Sequence, residues 1–477
     1  MAQTRPIQKK TDAADASQQT KTQRGGLGVT SLVFLIISAM IGGGIFNLPQ
    51  AAAAVADPQA LIVAWIATLV GVYFLVLMFR MLSRIAPDLK NGLYAYAEHG
   101  FGKFMGFIVA FSYWLSNCLS LVTYGILIGS ALNFFFPGAF TGGSTLLSLI
   151  VVSCIYWVVF AINIRGVDFS AHLNIVGTIC KFIPIVLFII VMILSFSPDT
   201  FAANCQQIDG AQMFKQFGGA FYVTVFLFVG IEGAVVMSGS AASQKKVARA
   251  TLISFAVSAC VYIIVSLIAF GVFSSDIIAA QQTPSLAGLF ALKGIPSCMP
   301  LVFGGVIVSV VFALIVWMMM IGQMPTSAAE DGVFPRIFTK RNKWGAPYMS
   351  LLVSVIVTEI ALVIVSQLGE HVWQFLVSFI PIIVMPCYTI CCLYLIKRSL
   401  SERWRFKESY LKGVIIGSAG LFFTLVVLSR AQLELLPIVF VLYLCAMSLY
   451  LLVRKRTKQT PSQHSQNDKI QPSEEQI

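Results

Sequence analysis

A carboxylate stands between two glycines inside an apolar run: Gly230, Glu232 and Gly233 in "FLFVGIEGAVVMSGSA". An ionisable residue at membrane depth is costly and is retained where it does something. Glu232 can titrate, bind a cationic group, or hold an interrupted helix together by hydrogen bonds. Earlier in the chain, Gly42, Gly43 and Gly44 interrupt "ISAMIGGGIFNLPQ", each at about 1 kcal/mol of helix propensity relative to alanine. An isolated small residue in a membrane helix serves close packing. Consecutive glycines suit unwinding, which survives at membrane depth only inside protein or beside a water-filled cavity. The freed N–H groups of a half-helix would then face a carboxylate, with the helix dipole assisting. Lys181, well inside "NIVGTICKFIPI", has two readings. It snorkels to the interface, or it is a fixed positive charge near the site, replacing a bound cation or exchanging a proton. Glu359 is also intramembrane but lacks a glycine break, and a structural role is as open as a functional one.

Other chemistries find no support. The ten cysteines are scattered, with Cys391 and Cys392 adjacent, and the four histidines (His99, His172, His371, His464) lie far apart. No Cys/His spacing suits a metal, and no paired acids or Ser/His constellation falls within the spans. No catalytic residue, metal or cofactor is expected, and the protein is read as not an enzyme. Cys205 and Cys298 fall on one side of the membrane and are either bridged, in an oxidising compartment, or free thiols.

The elements that would position Glu232 and the glycines follow from hydropathy. The chain is 58% hydrophobic and only 11% charged, against about 25% charged in a soluble domain. Apolar segments of the length that a bilayer demands recur throughout. Twelve spans are predicted, at 29–55, 60–83, 104–135, 146–162, 173–196, 214–239, 250–273, 300–324, 347–367, 371–396, 412–429 and 433–453. The piece "PSLAGLFALKGIP" is too short to span and reads as an external amphipathic helix lying over the protein.

Basic residues test this count, since they concentrate in short cytoplasmic loops. Alternate connections carry Arg84 with Lys90, Arg165, Lys245 with Lys246 and Arg249, Arg336 with Lys340, Arg341 and Lys343, and Lys397 through Lys407. On the other side only Lys293 and Arg430 stand out. Both termini are then cytoplasmic, and the net charge of +12 is mostly topology, so nucleic acid is not an expected partner. The opposite face carries Asp57, Asp199, Asp209, Asp276, Glu370 and Glu434, either as ordinary polar loops or as a weak field that gathers cations. Residues 1–26 form a polar tail without the apolar core of a signal peptide, and 457–477 read as a disordered tail. The first and sixth spans are the two interrupted ones, each opening a set of five. Transporters built from inverted repeats place discontinuous helices in that way.

Four stretches carry a family resemblance: "MIGGGIFNLPQ"; "PDLKNGLYAYAEHGFGKFMGF" leading to "YWLS"; "GIEGAVVMSG" followed by "VARAT"; and "PTSAAEDGVFPRIFTKRNKWGAPYMSLL". Over roughly Gly26 to Arg456 the chain resembles the amino acid–polyamine–organocation superfamily, and within it the basic amino acid/polyamine antiporters, most of all the arginine/ornithine group. The resemblance implies an all-α polytopic membrane protein of twelve helices with the LeuT-like fold. Residues 27–196 form the first inverted repeat, 197–397 the second, and 398–456 two extra helices, with helices 1 and 6 broken. It places the substrate at Gly42, Gly43, Gly44, Phe228, Gly230 and Glu232, flanked by Ala39 and Ile41. Phe226, where tryptophan is common, would cover a bound cation, and Trp317 would form a second aromatic wall. Lys181 matches a lysine that takes the place of sodium in some members, so Lys181 and Glu232 are the coupling candidates. After "YWLS" the group usually has a small–Gly–Asn pattern, whereas this chain reads Asn117, Cys118, Leu119, Ser120, Leu121. Ser116 and Asn117 are the polar candidates from the third span, and the asparagine is displaced. Gln323 stands where glutamate is frequent. The implied activity is exchange of a cationic amino acid, arginine or lysine, for a related amino acid or amine such as ornithine, in the inner membrane. Proton-coupled uptake is the alternative. The partners are amino acids, amines and the bilayer, and a homodimer is one expected assembly.

Overall fold

A computed structural model describes residues 27–89, 92–205, 209–368, 372–401, 410–430 and 433–459. The predicted tail 1–26, most of the predicted tail 457–477, and Lys90, Glu370, His371, Lys407 and His464 lie outside the described residues. Apart from short 3₁₀ turns, the described chain is α-helical, with one isolated parallel bridge between Leu27 and Ala241.

In order, α1 runs Val29–Met40, α2 Leu48–Ala53, α3 Pro58–Ile85, α4 Leu93–Phe101, α5 Lys103–Phe135 and α6 Leu146–Asn163. Then come α7 Val167–Leu194, α8 Pro198–Asn204, α9 Gly210–Phe226, α10 Gly233–Val236, α11 Gln244–Ile268 and α12 Ser275–Ala279. The last six are α13 Ser285–Leu292, α14 Met299–Glu330, α15 Tyr348–Ser366, α16 Val372–Ser401, α17 Tyr410–Ser429 and α18 Leu436–Gln459. Local chemistry sets several starts. Thr145 accepts from the Ser148 N–H ahead of α6, Asp209 from Gln212 ahead of α9, and Ser243 from Lys246 ahead of α11, each satisfying an N–H that has no partner within its helix. Pro58 opens α3 at a position where its missing N–H costs nothing. The last helix continues to Gln459, a little past the predicted start of the tail.

Ten of these helices are long and apolar enough to cross a membrane, and eleven crossings result if the pair formed by α1 and Gly43–Ala53 counts as one span, bent by 44°. The protein is a multi-pass membrane protein. The residues of the predicted sixth span form α9, a turn over 227–232 and the four-residue α10, and none of these pieces is long enough to count as a crossing. The predicted external helix is α13. Its Leu286, Ala287, Leu289 and Phe290 are buried, and it packs on α2 and α14. Asn47 and Ser285 stitch it to the segment after the first break, through Ser285 N–H to Asn47 Oδ1 at 3.2 Å and Gln50 N–H to Ser285 Oγ at 3.4 Å.

Side chains from four long helices, α5, α7, α14 and α16, reach the two breaks. Helix α14 lies against α5 and α7, and α16 lies against α5 and α17. Below them the short α4 closes against α5 and α16. Tyr94 on α4 donates to Asp331 Oδ2 at 2.7 Å, and burial, followed by the nearby Asp331 carboxylate, pushes its phenol pKa up.

Candidate functional site

The first break begins where α1 loses its helical bonds. The Ile41 N–H still reaches the Ile37 carbonyl at 2.7 Å, but the Gly42 N–H turns back to Met40 at 2.9 Å. A helix ending this way strands its last carbonyls, and here side chains recover them. The Lys181 ammonium, fully buried on α7, donates to Ser38 Oγ at 3.0 Å, the Ile41 carbonyl at 2.9 Å and the Ser38 carbonyl at 3.4 Å. Snorkelling is thereby excluded for Lys181, because its nitrogen is bound at the break and not at the interface. Trp317 Nε1 donates to the Ala39 carbonyl at 3.2 Å, and the Tyr124 hydroxyl approaches the same oxygen at 3.5 Å. A cation and the negative end of a helix dipole attract one another, so Lys181 suits the place that it occupies.

The second break follows α9. Gly230 has φ +106°, a left-handed conformation open to glycine at little cost, and a Cβ there would meet Ala39 and Trp317 at 3.2 Å. The Glu232 carboxylate folds back on this turn. Its Oε2 accepts from the Gly230 N–H at 3.1 Å and from the Tyr388 hydroxyl, and its Oε1 accepts from the Tyr113 hydroxyl at 3.0 Å. Tyr113 comes from α5 and Tyr388 from α16, so one buried carboxylate ties the interrupted segment to both. Of the three roles open to Glu232 in the sequence, holding the break by hydrogen bonds is the one this geometry displays.

Between the breaks lies a small cavity of about 40 Å³. The first break contributes Ala39, Met40, Gly42 and Gly44, and the second Phe226, Leu227 and Val229. Helix α5 adds Ser120, Thr123 and Tyr124, with Trp317 from α14 and Ile380 from α16. No charged side chain is among them. Glu232 is turned into its own cluster, and Lys181 is spent on α1.

Five predicted residues therefore line this cavity: Ala39, Gly42, Gly44, Phe226 and Trp317. Others are placed differently. Ile41 offers its carbonyl to Lys181, and Gly230 serves the Glu232 turn. Gly43 lies where a Cβ would collide with Leu127 and reach Val310 at 3.0 Å. Phe228 packs edge-on against Trp65 and Tyr262, with centroids 6.3 and 5.7 Å away. Ser116 donates to the Tyr113 carbonyl at 2.8 Å. Asn117 is buried, its Nδ2 without a hydrogen-bond partner. Gln323 is not part of the lining either. Glu359 accepts from Ser153 on α6 at 2.7 Å, sits half-buried and is not part of the lining. Cys205 and Cys298 are free thiols, so the bridged alternative is not realised. Burial, and secondarily the charge of Asp57, raises the Cys205 pKa. Among the described residues no group of three or more His, Cys, Asp or Glu could hold a metal ion.

Sequence reasoning missed Tyr113, Tyr388, Ser120, Thr123, Tyr124 and Ile380. A signal for four of them exists. Tyr113, Ser116, Asn117, Ser120, Thr123 and Tyr124 recur at three- and four-residue spacing, a polar stripe down an apolar helix.

The glycines differ in what they do, and this makes a prediction. A Cβ at Gly44 meets only Leu227 Cδ2, at an ordinary 3.7 Å, and adds bulk at the cavity wall. Gly44→Ala is expected to fold normally and to weaken cargo affinity by about tenfold, the scale of one misplaced methyl group in a binding pocket. Gly43→Ala is expected instead to lower thermal stability by crowding Leu127 and Val310. Binding and melting measured on both variants check this. Normal affinity in Gly44→Ala would remove that glycine from the site.

Two interruptions flank a neutral cavity with aromatic residues in its wall, inside a bundle of helices long and apolar enough to cross a membrane, and the whole is a polytopic membrane protein. A model of the amino acid permease family matches residues 27–461, and the chain belongs to that family, within the amino acid–polyamine–organocation superfamily. A Clostridium perfringens protein classed with amino-acid transporters is 34% identical, over 90% of this chain and 92% of the relative. The arginine/agmatine antiporter of Chlamydia pneumoniae is 34% identical over 93% of each chain, and that of Chlamydia felis 35% over 81% of each.

Proposed function

We propose that this protein is an antiporter exchanging a cationic amino acid, arginine or lysine, for a related amino acid or amine, ornithine or agmatine, by alternating access. The observation that carries this is the cavity itself. It sits at the junction of two helix breaks, its wall includes the aromatic faces of Tyr124, Phe226 and Trp317, and it presents no carboxylate. Aromatic faces attract cations, and a cation held without a fixed countercharge is released more readily than one locked in a buried ion pair. The arginine/agmatine antiporters among the relatives point to the same cargo. The cargo's carboxylate is assigned to the backbone N–H groups that begin the 3₁₀ turn Gly43–Asn47.

The architecture proposed with it has twelve crossings, α9 with the turn and α10 being one of them. Residues 27–196 and 197–397 are two inverted repeats followed by two further helices, with both termini cytoplasmic in the inner membrane and a homodimer as the assembly. Purified protein in liposomes tests the function. Labelled arginine should enter vesicles preloaded with arginine, ornithine, lysine or agmatine, and should not enter empty ones. Uptake into empty vesicles driven by an imposed pH gradient would replace exchange by proton coupling. The burial of two titratable groups, Lys181 and Glu232, at the breaks favours this second reading.

A further inference from the structure

We propose that Ser120 and Thr123 read the cargo's side chain, selecting a head group rich in hydrogen-bond donors, guanidinium or ammonium, over one without donors. This rests on the cationic-cargo reading above and assigns its selectivity to two residues.

Both side chains line the cavity and both are nearly buried. Their three-residue spacing sets them on one face of α5, one above the other. Each has already committed its only proton. Ser120 Oγ donates to the Ser116 carbonyl at 2.9 Å, and Thr123 Oγ1 donates to the Leu119 carbonyl at 3.1 Å. A hydroxyl has one donor and two lone pairs, so each oxygen is left to the cavity as an acceptor alone. Turning either proton toward a ligand would sacrifice the bond it makes within α5.

Of the other side chains in the wall, Tyr124 and Trp317 carry polar atoms, and both are directed at the Ala39 carbonyl. Glu232 accepts from two tyrosines and a backbone N–H and is absent from the lining. Asn117, a side chain that both donates and accepts, is buried away from the cavity. Ile380 offers no polar atom. A guanidinium or ammonium brings only donors and meets two oriented oxygens beside aromatic faces. An aliphatic side chain leaves both oxygens without partners from the cargo, and a carboxylate meets acceptors with acceptors.

The test compares arginine with norleucine, which has an unbranched four-carbon side chain and no polar head, by direct binding to the purified full-length protein. The wild type should prefer arginine. In the variant carrying Ser120→Ala and Thr123→Val, arginine affinity should fall about tenfold, the scale of a hydrogen bond to a charged group, while norleucine affinity holds or rises. The variant carrying Ser120→Thr and Thr123→Ser keeps both hydroxyls and should keep the arginine preference. An unchanged arginine-to-norleucine ratio in the first variant overturns the inference while leaving the cationic cargo standing, and so does a ratio lost equally in the second. If the wild type binds no cationic amino acid, the cargo reading itself fails, and this inference falls with it.

Discussion

Glu232→Gln is expected to leave the protein folded and its cargo affinity close to wild type while cutting the exchange rate by about tenfold or more. The three donors around the carboxylate explain the split. The Gln carbonyl oxygen can take the Oε2 position and keep the Tyr388 hydroxyl and the Gly230 N–H, while its amide NH₂ faces Tyr113, whose oxygen accepts. The network survives with one bond reversed, but bonds to a charged acceptor, about twice as strong as neutral ones, become ordinary. About 1 kcal/mol or more is lost at a junction linking α5, α16 and the second break, and a tenfold rate change corresponds to about 1.4 kcal/mol. Because Glu232 does not line the cavity, the loss should fall on the rate and not on binding. Glu232→Ala is harsher: it strands two hydroxyls and an N–H in a dry interior, at about 1–3 kcal/mol each, and should lower the melting temperature markedly. Transport and binding assayed side by side on Glu232→Gln decide the matter. A large rise in KM with an unchanged maximal rate would mean that the carboxylate touches the cargo after all.

The sequence revealed what local composition reveals. Hydropathy located ten of the predicted spans and the bent first one, because membrane crossing is a demand on consecutive residues. Gly42 to Gly44, Glu232 and Lys181 stood out because helix breakers and charges are rare in such runs. Their partners were hidden. Tyr113 and Tyr388 lie 119 and 156 residues from Glu232 along the chain, and a tyrosine in an apolar span looks like any other aromatic until its hydroxyl has something to reach. Phe228 illustrates the converse. It stands between two cavity residues, Leu227 and Val229, yet the turn after Phe226 directs its ring toward Trp65 and Tyr262. Position along α5, and not helical phase, separates Asn117 from Ser120 and Thr123: all four α5 hydroxyl and amide side chains from 116 to 123 share a stripe, but only its far end opens on the cavity.

Lys181→Met is expected to abolish most exchange. The side chain has similar length and no charge, so packing on α7 is largely kept. What disappears is the ammonium that serves Ser38 Oγ and the carbonyls of Ser38 and Ile41. Those oxygens mark the C-terminal end of α1, where the helix dipole adds negative character, and a thioether offers them no donor. Leaving such groups unsatisfied costs about 1–3 kcal/mol each, and α1 can recover bonds only by extending its helix into Gly42–Gly44 or by admitting water. Either change reshapes the wall formed by Ala39, Met40 and Gly42. The variant should therefore lose cargo affinity as well as rate, by about tenfold or more in each, in contrast to Glu232→Gln, where the rate alone falls. Lys181→Arg should not rescue, because a planar fork cannot place its donors where a compact ammonium on a flexible stem does. If Lys181→Met binds arginine normally and exchanges at half the wild-type rate or better, the ammonium is a filler in the bundle, and the first break holds its shape by packing alone.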